Sequence, residues 1–107
     1  MKKQTEADFT KMVIGLAQLH GWRVMHQRPA RTAKGWRTAI QGDPGFPDLI
    51  MIRHGALIVA ELKMGNGKPT PEQDEWLKAF ESLGCGRVKV WRPTESNWEE
   101  IERMLAP

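Results

Sequence analysis

The sequence is poor in cysteine and in long apolar segments. A single cysteine, Cys85, occurs in 107 residues, which excludes an internal disulfide and a zinc site built on cysteines. No apolar run reaches the roughly 18 residues that a membrane-spanning helix needs, and the N-terminus continues into polar residues rather than into an apolar signal core. We therefore expect a cytoplasmic protein with no membrane partner and no secretory signal.

Acidic residues are missing from one long stretch of the chain. None occurs between Asp8 and Asp43, although the net charge of the whole chain is only +3. The same stretch holds six basic residues, Lys11, Arg23, Arg28, Arg31, Lys34 and Arg37. Such a one-sided segment suits a polyanionic partner, of which nucleic acid is the commonest, and Trp36 within it could stack on an exposed base. The alternatives are a solvated basic loop without a partner and a tryptophan that pins this loop to the core.

The remaining composition is that of an ordinary globular domain. Apolar residues make up 40% and charged residues 27% of the chain, which excludes a disordered or fibrous protein. A chain of this length is long enough for one compact domain and too short for two. We expect a single domain over residues 1–107.

Hydrophobic periodicity and capping signals predict seven regular elements. Helices are predicted over residues 5–20, from Thr70 with Pro71 at the first helical position, and in a last segment capped by Ser96. Strands are predicted over residues 22–27, 48–53, 56–62 and 87–92, and a loop without a clear period over residues 28–47. The apolar face of the middle helix is predicted from Trp76, Leu77, Phe80 and Leu83. The result is a mixed α/β fold, in the order α-β-β-β-α-β-α, with a small central sheet flanked by helices.

Residues that could carry chemistry gather at one end of the predicted β-hairpin. Asp48 opens the first strand, and Glu61 and Lys63 close the second. Antiparallel pairing places these ends side by side, and alternate residues of a strand point to the same face. Two converging carboxylates suit a hard divalent cation, Mg²⁺ or Mn²⁺, and Lys63 could orient a metal-bound water and stabilise a phosphorane-like transition state. The alternative is a structural ion pair between Glu61 and Lys63, with Asp48 as a turn residue.

The order of these motifs resembles a family of nucleases. The motifs Gly45-x-Pro47-Asp48 and Glu61-x-Lys63, with a downstream Gln73, are similar to those of the PD-(D/E)xK nuclease superfamily, and within it to the VRR-NUC domains of the small stand-alone phage and bacterial type. The resemblance covers nearly the whole chain. It implies a restriction-endonuclease-like core in a bacterial or phage-infected cell, and a homodimer that acts on branched DNA such as four-way (Holliday) junctions.

The resemblance also implies roles for individual residues. The implied metal ligands are Glu6, directly or through water, Asp48, Glu61 and the backbone carbonyl of Leu62. Lys63 would be the catalytic lysine, and Gln73 would lie near the active site while also capping its helix. For Glu6 the alternative is a first-turn acid that the helix dipole favours.

These expectations combine into a metal-dependent, structure-selective DNA endonuclease that uses Mg²⁺ or Mn²⁺ and no small-molecule cofactor. Nucleic-acid contacts are expected from Arg28, Arg31, Lys34, Trp36, Arg37 and Lys68. Because no helix-turn-helix or zinc finger is visible, we expect selectivity for the shape of the DNA rather than for base sequence. The alternatives are a non-catalytic nucleic-acid-binding module, a nuclease subunit that needs a protein partner for activity, and an RNA substrate.

Overall fold

The computed structural model describes residues 4–27, 30–32, 35–37 and 41–107, and of residues 30–32 and 35–37 the backbone alone. The elements are α1 (Glu6–Leu19), β1 (Arg23–His26), β2 (Ala30–Thr32), β3 (Gly35–Arg37), β4 (Leu49–Arg53), β5 (Ala56–Leu62), α2 (Pro71–Ser82), β6 (Arg87–Trp91) and α3 (Glu95–Leu105). A four-stranded mixed sheet and three helices form the predicted mixed α/β fold, and the elements of this sheet follow the predicted order α-β-β-β-α-β-α. Among the described residues, no helix has the length and apolarity to cross a bilayer.

The centre of the sheet is a β-hairpin. Strands β4 and β5 pair antiparallel, from Leu49 opposite Ala60 to Arg53 opposite Ala56. The turn residues His54 and Gly55 both have positive φ, 46° and 80°, which is what a two-residue turn of the type favoured in hairpins requires. The predicted hairpin and its turn are therefore confirmed.

The outer strands complete the sheet in the order β1-β4-β5-β6. Strand β1 pairs antiparallel with β4, whereas β6 pairs parallel with β5, from Ile58 opposite Arg87 to Leu62 opposite Trp91. A parallel neighbour needs a crossover connection, and α2 supplies it. Because β5 and β6 run in the same direction, the residues that follow both strands emerge at the same end of the sheet.

The helix starts follow from capping chemistry. Thr5 with Asp8 and Thr70 with Gln73 form the two predicted capping boxes, and Pro71 opens α2. The prediction that Ser96 caps the last helix is wrong. Thr94 is the N-cap instead, because its extended backbone places its hydroxyl where it accepts the Asn97 N–H, and the helix therefore starts two positions earlier than a Ser96 cap would start it.

One face of the sheet carries the main core. Buried side chains from α1, α3 and the alternating positions of β4, β5 and β6 pack together there: Phe9, Val13, Ala17, Leu49, Met51, Ile58, Ala60, Leu62, Trp91, Ile101 and Leu105. Trp22, predicted as a strand residue, lies just before β1, and its indole N–H donates to the Leu105 carbonyl at 2.9 Å. Because side chains alternate along a strand, Val59 and Glu61 are buried on the opposite face.

Two details differ from the sequence prediction. Leu83, predicted on the apolar face of α2, is 63% exposed because it is the C-cap, beyond the last turn of the helix. The segment predicted as a loop over residues 28–47 contains β2 and β3, which pair antiparallel with Arg31 opposite Trp36. Three-residue strands are too short for alternation to show in the sequence.

Candidate active site

The hairpin brings the two predicted metal ligands together. Asp48 immediately precedes β4, and Glu61 is the next residue of β5 after the Leu49–Ala60 pair. The Asp48 Oδ2 atom accepts a hydrogen bond from the Leu62 backbone N–H at 2.9 Å. This bond fixes the Asp48 carboxylate across the end of β5.

Glu61 is the least expected side chain in the protein interior. It is 0% exposed, and neither carboxylate oxygen has a hydrogen-bond partner in the part of the chain that the structure describes. Burial raises the pKa of Glu61 to about 9, the neighbouring Asp48 adds to the rise, and the Lys63 ammonium opposes it. A buried carboxylate without hydrogen bonds costs several kcal/mol (about 3–5) unless a counter-charge satisfies it. The metal-free protein therefore keeps Glu61 protonated near neutral pH, and the ionised form needs a counter-charge beside it.

The oxygen donors of this corner fit a hard divalent cation. Magnesium is commonly held by one or two carboxylates, and waters or substrate phosphates fill its other positions. Asp48 and Glu61 supply two carboxylates, and the Leu62 carbonyl follows directly. Within the described residues, no group of three or more histidine, cysteine, aspartate or glutamate side chains could hold a metal. A site here would therefore rest on two carboxylates.

Glu6 is not brought into such a three-acid group. It lies exposed in the first turn of α1, where an acidic side chain is favoured by the helix dipole. Its predicted role as a metal ligand stays a prediction, and its exposed position agrees with the alternative, a first-turn acid that the helix dipole favours.

Lys63 follows Glu61 by two positions and is partly buried. Its backbone N–H donates to the Trp91 carbonyl at 2.9 Å, which continues the parallel β5–β6 pairing by one residue. Its stem lies along the following loop, since a Cβ built on Gly67 would be 3.9 Å from Lys63 Cδ. The charge of Lys63 is close enough to Glu61 to lower the pKa of that carboxyl against the effect of burial.

The turn that carries Asp48 is pressed against the start of α2. Gly45 has a φ of 94°, and a Cβ there would lie 2.6 Å from the Glu72 carbonyl carbon and 2.7 Å from the Gln73 nitrogen. Only glycine fits this approach. Gln73 is thereby placed beside the turn, while its side-chain oxygen accepts the Thr70 N–H in the capping box.

An aromatic cluster that the sequence did not reveal holds the same turn. The Trp76 indole N–H donates to the Pro44 carbonyl at 3.0 Å and reaches the Asp43 carbonyl at 3.4 Å. The Phe46 ring packs edge-on against Trp76 and Phe80, with centroid distances of 5.0 and 5.9 Å. The only signal in the sequence was Phe46, the aromatic residue inside the Gly-x-Pro-Asp motif, for which packing against the aromatic residues of α2 could have been predicted.

The comparisons with known proteins add nothing to this geometry. No family model and no curated protein matches this chain. The resemblance to VRR-NUC domains therefore depends on the motif residues and their order, and it stays a prediction.

The predicted nucleic-acid contacts are described only in part. Arg28 and Lys34 lie outside the described residues, and for Arg31, Trp36 and Arg37 the structure describes the backbone alone. Arg31 and Trp36 are directly opposite each other in the β2–β3 pair. Lys68 is exposed in the loop between β5 and α2.

A cavity of about 430 Å³ lies at the other end of the hairpin, away from the carboxylates. Its lining includes Arg53, Cys85 and Arg87. Arg53 is already engaged, because its guanidinium donates to the carbonyls of His20, Leu105 and Ala106. This cavity lacks the carboxylates and the lysine on which the predicted chemistry depends.

Proposed function

We propose that this protein is a metal-dependent endonuclease that hydrolyses phosphodiester bonds in DNA. The observation that carries the proposal is the fully buried Glu61 carboxylate, which has no hydrogen-bond partner among the described residues and lies beside Asp48 and Lys63. A buried structural ion pair would have satisfied these oxygens. Two buried oxygens without such partners, beside a second carboxylate, are instead what a divalent-cation site requires.

Asp48, Glu61 and the Leu62 carbonyl would hold Mg²⁺ or Mn²⁺. Such an ion, when bound, lowers the pKa of a coordinated water and neutralises charge on a phosphate oxygen. Asp48 is oriented for this role by the Leu62 N–H. Lys63 contributes a fixed positive charge on the same face, which would stabilise the extra negative charge that develops on the phosphate as the water attacks.

The substrate class follows from charge and from the resemblance together. The acid-free basic stretch suits the phosphate backbone and predicts salt-sensitive binding. The absence of a base-reading motif in the sequence favours recognition of shape, and the resemblance favours branched DNA, four-way junctions included. Two symmetric cuts in a junction need two active sites, which a homodimer with twofold symmetry supplies.

The test is cleavage of a labelled panel comprising duplex, single strand, 5′ and 3′ flaps, a four-way junction and a matched RNA, in Mg²⁺, Mn²⁺ or EDTA. We expect one branched DNA to be cut, and the activity to be lost in EDTA, in Asp48→Asn and in Lys63→Ala. Lys78→Ala is the matched control, because Lys78 is an exposed lysine on α2 whose salt bridge within the described residues is with Asp74.

Three other outcomes of this experiment would contradict the proposal or favour an alternative. Tight nucleic-acid binding without cleavage in either metal, and without any change on adding metal, contradicts the enzyme and favours a binding module. Cleavage that appears only in a cell extract favours a subunit that needs a protein partner. Equal loss of activity in Lys63→Ala and Lys78→Ala would show that the lysine effect is one of net charge.

A further inference from the structure

The end of the sheet that holds Asp48 and Glu61 also collects positive charge from a strand distant in the sequence. Leu62 pairs with Trp91 in the parallel β5–β6 ladder, so Lys63 and Arg92 leave the two strands side by side. Arg92 was not among the residues that the sequence singled out, because nothing in a single sequence shows that β6 runs parallel to β5.

Arg92 and Lys63 converge on the same loop residue. An Arg92 Nη2 hydrogen donates to the Gly67 carbonyl, and the Lys63 stem passes within van der Waals contact of a Cβ position on Gly67. Lys68 follows directly and is exposed. One loop thus carries or contacts three cationic residues, Lys63, Lys68 and Arg92, which we call the cation cluster.

Among the described residues no carboxylate forms a salt bridge with the cation cluster, although Lys63 lies close enough to Glu61 to lower its pKa. The two ion pairs among the described residues join Lys78 to Asp74 and Lys89 to Glu100, so neither uses a member of the cluster. Arg92 is partly exposed, and its bond to Gly67 uses one donor of a guanidinium that has five. Its other guanidinium donors have no hydrogen-bond partner in the part of the chain that the structure describes, and they can bind a planar or tetrahedral oxyanion bidentately.

We propose that Arg92, together with Lys68, binds a nucleic-acid phosphate next to the scissile one. This inference rests on the proposed function and adds to it a second phosphate subsite, formed by the loop after β5 and the residue after β6. The subsite places the nucleic acid across the ends of β5 and β6. In the sequence it lies outside the basic stretch before β4, and it is built around Gly67 rather than around the carboxylates.

The chain offers a matched control on the same strand. Arg87 begins β6 and is exposed, whereas Arg92 follows its last residue. Arg87→Gln and Arg92→Gln therefore make the same change in charge at opposite ends of one strand. Binding of a fluorescent four-way junction is measured by anisotropy with Ca²⁺ in place of Mg²⁺, over about 50 to 200 mM salt.

We expect Arg92→Gln to weaken binding about tenfold and to reduce the slope of log K against log salt by about one. Lys68→Gln should also reduce this slope by about one, and Arg87→Gln should change neither quantity. Lys68→Gln separates a phosphate contact from loop positioning, since the Lys68 ammonium makes no hydrogen bond to any of the described residues.

Two results would overturn the inference. Equal effects of Arg87→Gln and Arg92→Gln would show a general charge effect. A loss of affinity in Arg92→Gln with an unchanged slope, and no effect of Lys68→Gln, would show that Arg92 only anchors the loop through Gly67. Both results require that the wild type binds the junction; a wild type that binds no nucleic acid at low salt contradicts the proposed function itself.

Discussion

Replacement of Glu61 by glutamine should make the metal-free protein more stable, although it removes a proposed metal ligand. The pKa of Glu61 is raised from 4.5 to about 9 in the folded chain. At about pH 7.5 the folded protein therefore holds a proton that the unfolded chain has released. Holding this proton three pH units above the ordinary pKa lowers the free energy of unfolding by about 4 kcal/mol, at about 1.4 kcal/mol for each unit.

Glutamine is neutral at every pH and avoids this cost, but its buried amide lacks partners and costs about 1–3 kcal/mol. The net gain for Glu61→Gln is about 1–3 kcal/mol near pH 7.5, or about 5–15 °C in Tm. The sign depends on pH. A raised carboxyl pKa means that the wild type loses stability as pH rises from 4.5 toward 9, so the gain disappears near pH 5.

The assay is thermal unfolding in EDTA between about pH 5 and 9, with Glu99→Gln as the control because Glu99 is exposed on α3. Adding Mg²⁺ should stabilise the wild type and Glu99→Gln but not Glu61→Gln. Parallel pH curves for wild type and Glu61→Gln, with no gain at pH 7.5, would refute the reasoning.

Three further predictions test the supports of the site. Trp76→Phe loses the indole hydrogen bond to Pro44 and should lower the free energy of unfolding by about 1 kcal/mol. It should also weaken Mg²⁺ binding measured by calorimetry. The control is Trp22→Phe, which loses a similar bond at the far end of the sheet and should lower Tm alone. Gly45→Ala should weaken Mg²⁺ binding more strongly than Trp76→Phe does, and it should lower Tm, because the new Cβ would displace the turn from α2. Unchanged metal affinity would contradict this prediction. Thr94→Ala should lose about 1 kcal/mol in urea unfolding and Ser96→Ala less than about 0.5 kcal/mol, and the reverse order would restore Ser96 as the cap.

The sequence was a good guide wherever local chemistry decides the structure. Capping boxes, the His54-Gly55 turn and the alternation of β4 and β5 are short-range signals, and from them the meeting of Asp48 and Glu61 could be predicted. The cap of α3 was missed because Thr94 and Ser96 are both good caps, and only the backbone path after β6 chooses between them.

Contacts between elements distant in the sequence could not be predicted from its pattern. The approach of Trp76 to Pro44 and of Arg92 to Gly67 depends on how α2 and β6 dock, and no periodicity encodes that docking. The sequence indicated only that burying the Glu61 carboxylate is costly unless it is paired or binds a metal. That both of its oxygens lack a partner among the described residues is a property of the packed fold.

The hairpin also has a consequence for the order in which the protein folds. Asp48 and Leu62 are 14 positions apart and joined through a two-residue turn, whereas Arg92 and Gly67 are 25 apart and meet only after the helical crossover is complete. Closing the shorter loop costs less entropy, and local contacts form sooner. The carboxylate half of the site should therefore assemble before its arginine half, so that cation affinity appears during refolding ahead of tight nucleic-acid binding.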